Sequence, residues 1–100
     1  MTESLPFADA ARCMAELGHP SRLQIFSLLA ELGEIGCKVS DIQQALKLPK
    51  STVSHHLAEL AGIGLITQTR EGRVLRCRID ANRARLVQQF INQCCDGLPD

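Results

Sequence analysis

The sequence predicts a mainly α-helical fold with a two-stranded β-wing, its elements ordered ααααββα. Three observations carry this. Apolar residues recur at helical spacing as far as Gly64, interrupted by Gly and Pro where helices stop or start. Beyond Gly64 the period drops from 3.6 to 2 for two short runs around REGR. After Asp80 the helical period returns. One hundred residues supply one modest core, so residues 1–100 form a single domain.

In the first helix, over about residues 5–17, Phe7, Ala10, Ala11, Met14 and Leu17 recur at helical spacing and Gly18 ends the run. Pro20 suits the first turn of a second helix, SRLQIFSLLAEL, whose apolar residues lie nearly all round and mark it as central. His19, just before it, is expected to cap locally. GEIGCK reads as a loop. Ser40 and Gln43 have the spacing of a capping box for a short third helix, IQQAL, which Pro49 closes. Ser51 is placed to cap a fourth helix, TVSHHLAELAGIG.

Two helices joined by so short a turn make a helix-turn-helix, over about residues 40–63. LITQT and VLRCRI then form a hairpin over about residues 65–79, with Gly72 at the turn. Asp80 is placed to cap the last helix, about residues 81–95, with Leu86, Val87, Phe90, Ile91, Cys94 and Cys95 as its apolar stripe. The whole is a winged helix-turn-helix with extra helices at both ends.

Net charge is zero, but its distribution is uneven. Lys50, Arg70, Arg73, Arg76, Arg78, Arg83 and Arg85 face only Glu59, Glu71 and Asp80 between residues 50 and 85, a local +4. That is a polyanion footprint of modest size. The N-terminal run has neither a basic leader nor a long apolar stretch, so the expectation is a cytoplasmic protein with no membrane contact. The five cysteines are odd in number, widely spaced and without C-x-x-C, which favours thiols over a disulfide framework or a zinc knuckle. No Gly-rich phosphate loop, paired carboxylates or Ser/His/acid set occurs, and the G-x-G of AGIGLI reads as helix termination. An enzyme is not expected.

On the fourth helix Val53, Leu57, Leu60 and Ala61 share one face, which is expected to point at the core. His55 lies roughly opposite, with Thr52 and Glu59 on one flank, Ala58 and Gly62 on the other, and Ser54 and His56 at the margins. A recognition helix presents such a small, polar N-terminal end to base edges, and its unsatisfied N–H groups attract phosphate. Lys50, Ser51, Thr52, Ser54, His55 and His56 are therefore candidate contacts to double-stranded DNA. Arg70 and Arg73 at the hairpin tip are candidates for the minor groove or its phosphates. The alternative is an ordinary solvated face and a solvated turn.

Together, LGHPSRLQIFSLL, VSDIQQALKLPKSTVSHHLAELAGIGLI and REGRVLRCRI resemble the ArsR/SmtB family of metal-responsive repressors across nearly the whole chain. The resemblance implies a homodimer formed by the first and last helices. It also implies a near-palindromic operator and an inducer that weakens DNA affinity. Members place the inducer site differently. One arrangement uses a C-V-C-D-L run on the third helix; the matching residues here are Lys38, Val39, Ser40, Asp41 and Ile42, so both ligands are missing. A second uses histidine and carboxylates on the last helix, which has no histidine here. Persulfide-sensing members need a cysteine on the second helix, and residues 20–32 contain none.

Some arsenic-responsive members carry a C-C pair near the end of the last helix, as Cys94 and Cys95 do here. Adjacent helical side chains diverge by roughly 100°, and a disulfide between neighbours closes a strained eight-membered ring. The two thiolates suit one large soft centre better, trivalent arsenic or antimony, with no organic cofactor. Simple packing is the competing reading. Cys37, read as lying in a polar loop, is the first choice for a third ligand and Cys13 the second. Cys77 alternates with Leu75 and Ile79 on the core side of its strand and is expected to pack. His55 and His56 diverge too far to share a metal.

The resulting expectation is a homodimeric, metalloid-released repressor on operator DNA. Two alternatives stay open: a regulator of the same fold that senses thiol oxidation or persulfide, and a winged helix that binds protein instead of DNA.

Overall fold

A computed structural model describes residues 4–100. The first helix, α1 (Phe7–Leu17), follows Pro6 and buries Ala10 and Cys13, with Met14 and Leu17 partly covered. Ala11 is exposed, so the inward stripe runs one position over from the expected one and takes in Cys13. The second helix, α2 (Pro20–Leu32), begins with Pro20 in its first turn, where the missing N–H costs nothing. Its Ile25 and Leu29 are fully buried and form the middle of the core.

The segment expected as a loop is more ordered. A 3₁₀ turn, Gly33–Ile35, leads through Gly36 into a two-residue strand, β1 (Cys37–Lys38). β1 pairs antiparallel with β3, Cys37 opposite Cys77 and Lys38 opposite Arg76. Gly36 permits the approach. Its φ is 68°, and a Cβ there would stand 2.5 Å from the carbonyl oxygen of Cys77. The expected two-stranded wing is thus the outer part of a three-stranded sheet, ordered β1-β3-β2.

Helix α3 (Val39–Leu46) starts directly from β1, with Lys38 at the N-cap position and no side-chain cap. The capping box expected from Ser40 and Gln43 does not form, because the strand carries the chain into the helix one residue earlier. Lys47, at φ 55°, ends the helix in the left-handed conformation. Helix α4 (Lys50–Gly62) has Pro49 at its N-cap position, which puts Ser51 inside the first turn instead of at the cap. Val53, Leu57 and Leu60 of α4 are fully buried, as their spacing requires.

Strands β2 (Ile66–Glu71) and β3 (Val74–Ile79) form the hairpin, with Gly72 and Arg73 in the turn and Gly72 at φ 65°. Asp80 caps the last helix, α5 (Ala81–Cys95), its Oδ1 accepting the Arg83 N–H at 3.0 Å. Leu86 and Val87 pack inward, whereas Ile91, Cys94 and Cys95 are exposed. The radius of gyration, 14.5 Å, exceeds the roughly 13 Å typical of this length, and the extents are 47 × 28 × 23 Å. An elongated shape suits a chain whose last helix is covered over only its first half. No helix among the described residues is long and apolar enough to cross a membrane.

Candidate nucleic-acid interface and cysteine pair

The start of α3, the start of α4 and the hairpin enclose a cleft of about 320 Å³. Lys38, Ser40 and Gln43 line it from one side, Lys50 and Ser54 from α4, and Arg70 and Arg73 from the wing. Four cations and no carboxylate line it, so the potential there favours an anion. Lys50, Ser51, Ser54 and His55 are exposed and Thr52 half-buried at the N-terminal end of α4, where orphan N–H groups add to the same field. Seven of the eight residues expected at a DNA surface are therefore at least partly accessible: Lys50, Ser51, Thr52, Ser54, His55, Arg70 and Arg73.

His56 is the exception. It is 4% exposed and turned inward, its Nδ1 accepting a hydrogen bond from Arg22 Nε at 3.1 Å. Burial, then the neighbouring charges of His19, Arg22 and His55, hold its pKa below the ordinary histidine range. It does not face DNA. His19 likewise makes no cap hydrogen bond; its ring lies 4.6 Å from that of His56.

The basic segment is also less available than its composition suggests. Glu71 clamps two of its arginines, accepting from Arg76 Nε at 2.8 Å and from an Arg78 terminal nitrogen at 3.2 Å. The same arginines donate to the backbone carbonyls of Ile35 and Glu34 at 3.1 and 2.8 Å. Hydrogen bonds from both arginines hold the Glu71 carboxyl below the usual carboxylate range. Arg76 and Arg78 therefore brace the wing against the 3₁₀ turn. Lys38, Ser40 and Gln43, which the sequence reading omitted, take their place at the cleft. Recognising β1 would have found them.

The cysteines divide cleanly. Cys13, Cys37 and Cys77 are buried; Cys94 and Cys95 are exposed on the last turn of α5. Cys37 is not in a polar loop but faces Cys77 across the β1–β3 ladder, and burial raises its pKa, with Asp41 and Cys77 adding to the effect. Burial also raises the pKa of Cys13 and of Cys77, whose Sγ accepts a weak hydrogen bond from Gln68 Nε2 at 3.7 Å. Among the described residues of one chain, no three His, Cys, Asp or Glu side chains converge closely enough to hold a metal ion. Within one chain the structure does not bring Cys37 to the Cys94/Cys95 pair.

Residues 19–68 match the sequence profile of the bacterial regulatory protein arsR family. The chain belongs to the arsR family. Its relatives include the transcriptional repressor PagR of Bacillus anthracis, 30% identical over 90% of this chain and 88% of PagR. The HTH-type transcriptional regulator MJ1325 of Methanocaldococcus jannaschii is 40% identical over 66% of this chain and 72% of its own length. The crystal structure of PagR superposes with a TM-score of 0.68 over 83% of this chain and 93% of that one. A homodimeric winged helix-turn-helix DNA-binding domain, Mb0332 of Mycobacterium bovis, is 28% identical, with a TM-score of 0.71 over 99% of this chain and 94% of that one. This arsR-family chain is a transcriptional regulator of the winged helix-turn-helix class and not an enzyme.

Proposed function

We propose that the chain is a repressor that binds double-stranded operator DNA as a homodimer and leaves it when trivalent arsenic or antimony binds Cys94 and Cys95. The carboxylate-free cleft carries the DNA half of this reading. The N-terminal half of α4 enters the major groove, with Ser54 and His55 towards base edges, while Arg70, Arg73, Lys50 and Lys38 meet the phosphates. Dimerisation is supported by the apolar surface shared by α1 and α5. Phe7 is 81% exposed while its ring meets Phe90 edge-on at 5.1 Å, and Ile91 is exposed beside it. A two-fold dimer reads half-sites about 34–36 Å apart.

The inducer half rests on the contrast in exposure. Of the five cysteines, Cys94 and Cys95 are exposed and the other three are buried. Each As–S bond forms as a thiol proton and one hydroxyl of arsenous acid leave together as water, so two thiols give a dithiolate that retains one hydroxyl. Cys37 is not needed. A disulfide between Cys94 and Cys95 would close the strained ring, which favours the metalloid over oxidation as the signal.

The test of the DNA half is selection of a duplex from a randomised pool by the purified protein, followed by titration across salt. Enrichment of a two-fold symmetric sequence with salt-dependent affinity supports the reading. No enrichment, or affinity indifferent to salt, rejects it.

A further inference from the structure

Partly buried beside α4 is a polar chain that packing alone does not call for. Glu16 of α1 forms an ion pair with Arg22 of α2, and both side chains are largely covered, 23% and 13% exposed. The Nε of Arg22 donates to His56 Nδ1 of α4, and the ring of His19, from the corner between α1 and α2, lies tilted at 57° beside that of His56. Three helices are therefore tied at one guanidinium. We propose that Arg22 and His56 are positioning residues for DNA reading: anchored by Glu16, Arg22 holds α4 at the rotation that turns Ser54 and His55 outward.

The argument is geometric. On a helix, neighbouring residues diverge by roughly 100°, so fixing His56 inward fixes the azimuth of His55 and Ser54. The contact also dictates a protonation state. Nδ1 accepts a bond from a group that has only donors, so it is bare and the neutral ring carries its proton on Nε2. A second ring proton would set N–H against N–H and cation against cation. The charged groups around the ring are Arg22, with Glu16 behind it, His19 and His55, whose ring is 5.8 Å away. Glu59 lines the adjoining groove between α1 and α4 with Arg12 and Glu16.

The sign of the pH effect follows. The unfolded chain takes up the proton at the ordinary value, 6.5, and the folded chain only at lower pH. The contact's contribution to stability is thus full above pH 6.5 and declines as pH falls below that value towards the lowered folded pKa, where the folded ring itself takes up the proton and the contact breaks. The bare Nδ1 and the helix azimuth must fail together.

This inference rests on the DNA-binding reading, and its test separates the two. In the wild-type dimer, long-range proton–nitrogen NMR at pH 7.5 should show His56 as the Nε2–H tautomer. For DNA, the probe is a duplex selected from a randomised pool by the wild type at pH 7.5, compared with its scrambled sequence. All proteins keep His55, a proposed base contact, so the effect of His56 is read as the difference between pH profiles with and without His56→Asn. With His56 intact, discrimination should fall at least fivefold more than in His56→Asn as pH is lowered from 7.5 through the point at which the ring's own NMR shifts report protonation of His56. His56→Asn, whose Oδ1 replaces the acceptor without titrating, should match the wild type at pH 7.5 and lack that additional loss. Arg22→Gln should lose discrimination at pH 7.5 with an unchanged salt slope, because the phosphate contacts remain. Parallel pH profiles with and without His56→Asn through the protonation of His56, or an Nδ1–H tautomer, overturn the proposal even if Arg22→Gln does not fold. If no duplex is enriched, the DNA-binding reading fails and positioning falls with it, while the NMR result still decides whether the contact exists.

Discussion

Cys37 and Cys77 stand directly opposite each other on antiparallel strands, both buried, one at the sheet edge and one at its centre. This pairing removes Cys37 from contention as an accessible ligand and divides the thiols into two populations. Nucleophilic thiolate is scarce where burial raises the pKa, as at Cys13, Cys37 and Cys77. A thiol-reactive chromophore added to native protein at neutral pH should therefore titrate Cys94 and Cys95 in a fast phase. The other three should react only on addition of denaturant. Peptide mapping showing Cys37 among the fast thiols would contradict this division.

The hairpin arginines should separate into DNA contacts and braces. Arg73 lines the cleft, so Arg73→Ala should flatten the dependence of log K on log salt by about one unit and weaken all sequences alike. Arg76, held by Glu71 and the carbonyl of Ile35, should behave differently. Arg76→Ala should leave the slope unchanged and lower the midpoint of urea unfolding. Equal slopes for wild type and Arg73→Ala would take Arg73 out of the interface.

Two glycines with similar φ should differ in cost. Gly36 has φ 68° and the Cys77 carbonyl 2.5 Å from a Cβ position, whereas Gly72 has φ 65° and open space. Gly72→Ala meets only backbone strain, on the order of 1–2 kcal/mol. Gly36→Ala adds a collision with a backbone oxygen and must push β1 off β3, so its loss should be clearly the greater of the two. Urea unfolding of both variants measures the difference; equal losses would mean that β1 does not depend on the close approach.

What the sequence disclosed is what local period and local chemistry encode. The buried stripe of Val53, Leu57 and Leu60, Pro20 in a first turn, Asp80 as a cap and Gly72 in the hairpin were all legible from neighbours within one turn. β1 was not, because two residues show no period and their partner strand is far along the chain. The burial of His56 depends on Arg22, 34 residues earlier, and no spacing rule reaches that far. The clamping of Arg76 and Arg78 by Glu71 lay between these cases, since the hairpin register alone puts the three side chains on alternate rungs and hence on one face of the sheet. The exposed Cys94 and Cys95 were found by adjacency, but their isolation from Cys37 needed the fold.

That isolation sharpens the expectation for the inducer. On the proposed function, arsenic held by Cys94 and Cys95 would act at the end of α5, whose first half packs on the domain and whose second half does not. If the second half meets its counterpart in the dimer, drawing the two thiolates around one centre shifts that helix and the spacing of the two α4 helices with it. Linkage requires the loss of DNA affinity to equal the loss of inducer affinity, typically about 1–3 kcal/mol. Cys94→Ser and Cys95→Ser should each keep operator affinity yet resist release by arsenite, since a hydroxyl is a poor ligand for a soft centre. Cys37→Ser and Cys77→Ser, where folded, should respond as the wild type does, because both are buried and neither sulfur reaches the pair within its own subunit. Arsenite titration of the operator complex, followed by fluorescence anisotropy, measures all of these. Release of the double variant Cys94→Ser/Cys95→Ser at the wild-type arsenite concentration would show that the pair is not the switch.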